Sequence, residues 1–220
     1  MNERSFMEFS MNQIADHQPT PLLASEKRSA EILDKVKVAF AEKGFDGASM
    51  QDLARAAGMS VGNFYRYFPS KASIVEGLVA VDLADMEHDF IEVFSAPNPM
   101  QRLRELIHLR IPMHRENHDG RLWAEITAVA LRKPEIAASA CKMESCVSRS
   151  LTAVFSLHTG LSMPEAEARF ATQASFIVML IKSAAMIGPH NCADHDALCA
   201  MVINTIDKTL NEISSFRPKG

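Results

Sequence analysis

Apolar residues recur along most of the chain at spacings of three and four, the period of an amphipathic helix. Ile32, Leu33, Val36, Ala39 and Phe40 form one such stripe. It predicts a first helix that starts at a cap near Ser25 and closes with Gly44 as the residue after the helix and Phe45 as its hydrophobic contact. Ser49, with Asp52 three residues on, reads as the capping-box-like start of a short helix. That helix buries Met50, Leu53, Ala54 and Ala57 and sets Gln51 and Arg55 on its outer face. Gly58 breaks the chain, Ser60 caps a second short helix over 61–68, and Pro69 ends it. From Lys71, the positions Ile74, Val75, Leu78, Val79, Leu83, Met86, Phe90 and Phe94 predict a helix of about 24 residues, roughly 36 Å long. Further helices are expected over 100–110 and past Pro112, over 121–132, from Pro134 to about His158, over 163–187, and from a cap at Asp194. Alternating β-branched runs and Asn-Gly hairpin turns are missing, so the fold class is all-α.

Two short helices joined by a Gly-containing turn form the helix-turn-helix pattern, in which the first helix braces the second and the second enters the major groove. In the second helix, Phe64 and Phe68 are four apart and point inward. Val61 falls with them by periodicity, while Gly62, Asn63, Arg66 and Tyr67 face out. Gly62 has no Cβ and lets the backbone approach a duplex closely. Asn63 has the donor–acceptor pair that reads a base edge, and Arg66 suits guanine or phosphate. Tyr65, Tyr67 and Lys71 suit phosphate oxygens.

Charge speaks weakly against this reading. The 220 residues carry 23 Lys and Arg against 27 Asp and Glu, a net charge of −4, where a basic footprint is the usual sign of a nucleic-acid binder. The deficit is unevenly placed. Residues 26–78 hold eight basic and seven acidic side chains, and the remainder is acidic. The four cysteines form no CxxC pair, which leaves reduced thiols and a cytoplasmic location as the expectation. The apolar run 174–181 is far too short for a membrane span. Residues 1–25 hold Pro19 and Pro21 and little periodicity, and read as a flexible arm.

The segment from Gly44-Phe45 through Ala48-Ser49-Met50-Gln51-Asp52-Leu53-Ala54-Arg55-Ala56-Ala57-Gly58-Met59-Ser60-Val61-Gly62-Asn63-Phe64-Tyr65-Arg66-Tyr67-Phe68-Pro69-Ser70-Lys71 resembles the DNA-binding signature of TetR-family transcriptional regulators. The resemblance runs from about Glu26 to Leu78. It implies a three-helix DNA-binding domain over 26–70 and a larger helical ligand-binding and dimerisation domain over 71–220. It places Ser49, Tyr65, Tyr67 and Lys71 at phosphate-contacting positions, with Gln51, Val61, Gly62 and Asn63 at base-contacting ones. Arg66 faces the same groove. The resemblance also points Val61 at DNA, against its periodicity. It implies a homodimer built from the two C-terminal helices, 164–187 and 194–216, on a palindromic operator.

The implied function is a repressor released from its operator by a small-molecule effector. The alternative is a regulator of the same fold controlled by a protein partner. Candidates for an effector pocket, by helix face, are Met86, Phe90, His108, Met113, Trp123, Thr127, Met143, Phe155, Phe176 and Met179. Trp123 has the ring to hold a quaternary ammonium. Met and Phe at helical spacing are more often the mark of an ordinary core. His114 with His118, and His190, Cys192, His195 and Cys199, bear zinc-type ligands, but their spacing matches no zinc signature, so no metal or other cofactor is expected. No Gly-rich phosphate loop, nucleophile elbow or paired carboxylates stand out, which argues against an enzyme.

Overall fold

A computed structural model describes residues 24–116, 119–186 and 194–217. Most of the predicted arm therefore lies outside the described residues, as do His118, His190, Cys192 and the side chain of His114. Among the described residues all the elements are helices: α1 Ala24–Gly47, α2 Met50–Ala56, α3 Val61–Tyr67, α4 Lys71–Ser95, α5 Pro99–Glu116, α6 Asp119–Ala130, α7 Pro134–Thr159, α8 Met163–Ala185 and α9 His195–Ser215.

The helix ends follow from local chemistry. Gly44 takes φ 71 and breaks α1 before a last turn that runs to Gly47. Ser49 accepts the Asp52 N–H while the Asp52 carboxylate accepts the Ser49 N–H, a complete capping box. At the other end of α2, Met59 N–H bonds to Ala54 C=O and Gly58 N–H to Arg55 C=O. With Gly58 at φ 70, this is the paired closure that a left-handed residue after a helix permits. Ser60 caps α3 and Ser70 caps α4 through their side chains. Gly160 at φ 72 ends α7, and Asp194 caps α9 with two N–H bonds.

The core falls into two clusters, and their boundary is not the end of the helix-turn-helix. One cluster joins α1, α2, α3 and Ile74–Leu83 of α4 to Leu122, Ile126 and Val129 of α6 and Ile136 of α7. The other joins Phe90 and Val93 of α4 to α5, α8, α9 and the C-terminal half of α7. Helix α4 thus belongs to both. Gly77 lies where α4 packs against α1 and the end of α3: a Cβ there would stand 3.0 Å from Leu33 Cδ1 and 3.3 Å from Phe68 Cε1.

Candidate nucleic-acid interface

Helix α3 is held by Phe64 and Phe68, which are 0% and 4% exposed with ring centroids 5.7 Å apart. Its other face is open. Gly62, Asn63, Tyr65 and Arg66 are exposed. Val61 is 37% exposed, so it stands with the outward residues and not with Phe64 as its periodicity predicts. It occupies the first position of a seven-residue helix, where the packed surface has already ended. Tyr67 is half-buried against the first core cluster; only part of it remains on the outer face. Ser49 and Gln51 of α2 are exposed on the same motif. An exposed guanidinium, amide, phenol and apolar methyls beside an uncovered glycine backbone are the means of reading a groove and holding phosphate.

Two predicted contacts are engaged within the protein. The Ser49 hydroxyl donates to Asp52 Oδ2 at 2.5 Å and accepts the Asp52 N–H at 3.1 Å. Lys71 Nζ donates to the carbonyls of Phe45, Asp46 and Ala48 at 2.6, 3.4 and 3.1 Å. An ammonium has three donors, and these three acceptors take them all, so Lys71 holds the α1–α2 turn. Periodicity shows which face a lysine is on, but not that three carbonyls from 23 to 26 residues upstream converge on it.

Asp52 is the acidic group on this face. Lys43 bonds it at 2.6 Å. That bond first, then the Ser49 hydroxyl and N–H, hold its carboxyl far below the usual carboxylate range. Arg55, 3.9 Å from the same carboxylate, has a side chain 81% exposed and adds a cation to the motif that the contact prediction did not include.

The predicted effector residues do not come together. Trp123 and Met143 pack against the first cluster, whereas Met86, Phe90 and Phe155 belong to the second. Thr127 is half-buried on α6. Met113, Phe176 and Met179 lie at the surface, 43%, 37% and 52% exposed. His108 contacts Asp207 of α9 at 3.0 Å, beside the Arg104 ion pair to the same carboxylate. Trp123 Nε1 donates to Asp82 Oδ2 at 3.0 Å, and Lys37 reaches Oδ1 at 3.3 Å; this joins α1, α4 and α6. A groove of about 800 Å³ lies between α8 and α9, lined by residues that include Glu165, Arg169, Gln173, Glu212 and Phe216, and none of the predicted pocket residues lines it. Among the described residues, no three His, Cys, Asp or Glu are placed to hold a metal ion, and no helix is long and apolar enough to cross a membrane.

Residues 32–78 match the family model "Bacterial regulatory proteins, tetR family". This segment, from α1 to the start of α4, carries the TetR-family DNA-binding signature. Among relatives, the HTH-type transcriptional repressor KstR2 of Rhodococcus jostii (strain RHA1) is 33% identical over 69 residues, which are 31% of this chain and 34% of KstR2. The HTH-type transcriptional regulator YfiR of Bacillus subtilis (strain 168) is 36% identical over 58 residues, 26% of this chain and 28% of YfiR. These matches span about a third of the relatives' length. The fold likeness extends much further. A TetR transcription regulator from Haloarcula marismortui superposes with a TM-score of 0.67 at 17% identity, covering 84% of this chain and 97% of that one. AibR, solved with isovaleryl coenzyme A and operator DNA, superposes with a TM-score of 0.58 at 19% identity, covering 81% and 97%.

Proposed function

We propose that this TetR-family protein is a cytoplasmic, sequence-specific DNA-binding transcriptional regulator that works as a homodimeric repressor and leaves a palindromic operator when a small-molecule effector binds. The observation that carries this reading is the outward row on α3: Val61, Gly62, Asn63, Tyr65 and Arg66 stand free while Phe64 and Phe68 anchor the helix. The name of KstR2 as a repressor and the AibR complex with operator DNA and an acyl thioester support the repressor and effector parts. Support for the dimer comes from exposed apolar side chains on the last two helices, Phe176 and Met179 of α8 and Met201 of α9. A twofold dimer places its half-sites about 34–36 Å apart, one helical turn, or a multiple of that. The ligand must favour a state in which the two recognition helices are wrongly spaced, because equal affinity for both states shifts nothing.

The test is a gel shift with DNA from beside the protein's own gene. A specific complex that weakens as salt rises is expected. Asn63→Ala should then change which base is preferred at one position of each half-site. Binding no tighter than to random DNA refutes the proposal.

A further inference from the structure

The Phe45–Asp46 turn is held at three places, by α6, by α4 and by the α6–α7 junction. Because Gly44 breaks α1, the Phe45 N–H leaves the helical ladder and donates to Glu125 Oε2 of α6 at 3.3 Å. The glycine lies so near that carboxylate that a Cβ would stand 3.0 Å from Oε2. From α4, Lys71 takes the turn's carbonyls. From the α6–α7 junction, Lys133 bonds Asp46 Oδ1 at 3.0 Å and Arg132 approaches Oδ2 at 3.3 Å. The Phe45 ring, 4% exposed, has the Lys71 ammonium 4.9 Å and the Lys133 ammonium 4.7 Å from its centroid, both within cation–π range. Lys133 foremost, with Arg132 and Lys71, holds the Asp46 carboxyl below the usual range. Ser49, the cap of α2, comes three residues after Asp46.

We propose that Lys133 is a positioning residue for DNA recognition: from the second domain it fixes the Phe45–Asp46 turn, and through that turn the pose of α2 and α3. The inference rests on the DNA-binding reading. Within it, the α6–α7 junction is where the larger domain grips the reading helices, with Lys71 as the matching grip from α4. Lys133 acts on Phe45 and Asp46 and does not neutralise a phosphate, so its removal should loosen the turn without changing how many counterions DNA binding releases.

The experiment uses the full chain with Lys133→Met, which keeps an apolar stem against Phe45, Asp46→Asn, and the pair together. Hydrogen exchange is followed over residues 44–53 without DNA, and operator affinity is measured across a salt series. Each single variant should speed exchange in that segment and weaken operator binding, both roughly two- to fivefold for a partly exposed ion pair with a ring contact. The salt slope should stay unchanged, and the double variant should be no worse than the worse single one. Unchanged exchange in Lys133→Met overturns the proposal. So does a salt slope reduced by about one with normal exchange, the mark of a phosphate contact. Wild type that shows no preference for operator over random DNA removes the DNA-binding reading itself, and this inference with it; specific binding by wild type with both variants unaffected removes this inference alone.

Discussion

Replacing Gly62 with alanine should move stability and DNA affinity in opposite directions. Gly62 is the second residue of α3, and apart from its chain neighbours and the helix's own backbone no heavy atom lies within 4 Å of the place its Cβ would take. The free protein therefore accepts the methyl without a clash. Alanine gains about 1 kcal/mol over glycine inside a helix, and less in a first turn. The smaller freedom of the unfolded chain contributes about 0.4–1 kcal/mol of the same effect. A net gain of about 0.5–1 kcal/mol corresponds to a rise in Tm of roughly 1–4 °C for a chain of this size. On DNA the same methyl stands between the helix backbone and the duplex, the approach that a missing Cβ permits. Lost contact of about 1–2 kcal/mol weakens operator binding roughly five- to thirtyfold. Thermal melts at one fixed protein concentration and fluorescence anisotropy on a labelled operator measure both quantities. A variant that is more stable and binds as tightly as wild type would refute the assignment of this face to DNA. A variant that melts lower would show that the open space at Gly62 is misjudged.

Gly77→Ala gives the contrasting case: the helix gains about 1 kcal/mol in propensity, but its methyl meets Leu33 and Phe68, both almost wholly buried, and overpacking costs about 1–3 kcal/mol. A lower urea midpoint is expected, and a higher one would mean that this core yields easily. Asp52 has a folded pKa below the unfolded value of 3.8, so its contribution to stability is present above about pH 4 and is lost as pH falls through the folded pKa. The difference in urea midpoint between wild type and Asp52→Asn should therefore shrink on going from pH 7 to pH 3; a constant difference rules out the Lys43 and Ser49 contacts as its source. Finally, Phe176→Asp with Met179→Asp places two charges on the exposed face of α8 and should give monomers in native mass spectrometry at micromolar concentration. An intact dimer would move the interface elsewhere.

What the sequence made legible was local. Ser49 with Asp52, Gly58, Ser60 and Ser70 act within a few residues of themselves, and each closes a helix end as its chemistry requires. The error at Val61 has a physical cause. A stripe extended backward from Phe64 assumes packed surface beneath it, and a seven-residue helix runs out of that surface within one turn. The effector candidates are spread over both core clusters and the surface because Met and Phe recur at helical spacing in a core and on an exposed face alike. Phe155 is wholly buried and Met179 half exposed, although both lie on apolar helix faces. Trp123 and Lys71 are set by partners on other helices, Asp82 of α4 and the carbonyls after Gly44, and no spacing rule reaches that far.

The charge deficit takes on a sharper meaning once these partners are known. Residues 26–78 are barely basic in sequence, and the structure commits half of their eight cations internally. Lys43 is on Asp52, Arg28 on Glu31, Lys37 on Asp82, and Lys71 on three carbonyls. On the α2–α3 surface this leaves Arg66 and Arg55, the latter only loosely paired at 3.9 Å. Each phosphate neutralised adds about 0.9 to the salt slope and supplies the sequence-independent part of the affinity. A surface with two such cations draws little from that source. Discrimination must then rest on the fit of α3 in its groove, and fit depends on the pose of α2 and α3 more than charge does. That gives the turn at Phe45–Asp46 its weight: where electrostatic attraction is scarce, a small change in pose is enough to separate bound from free.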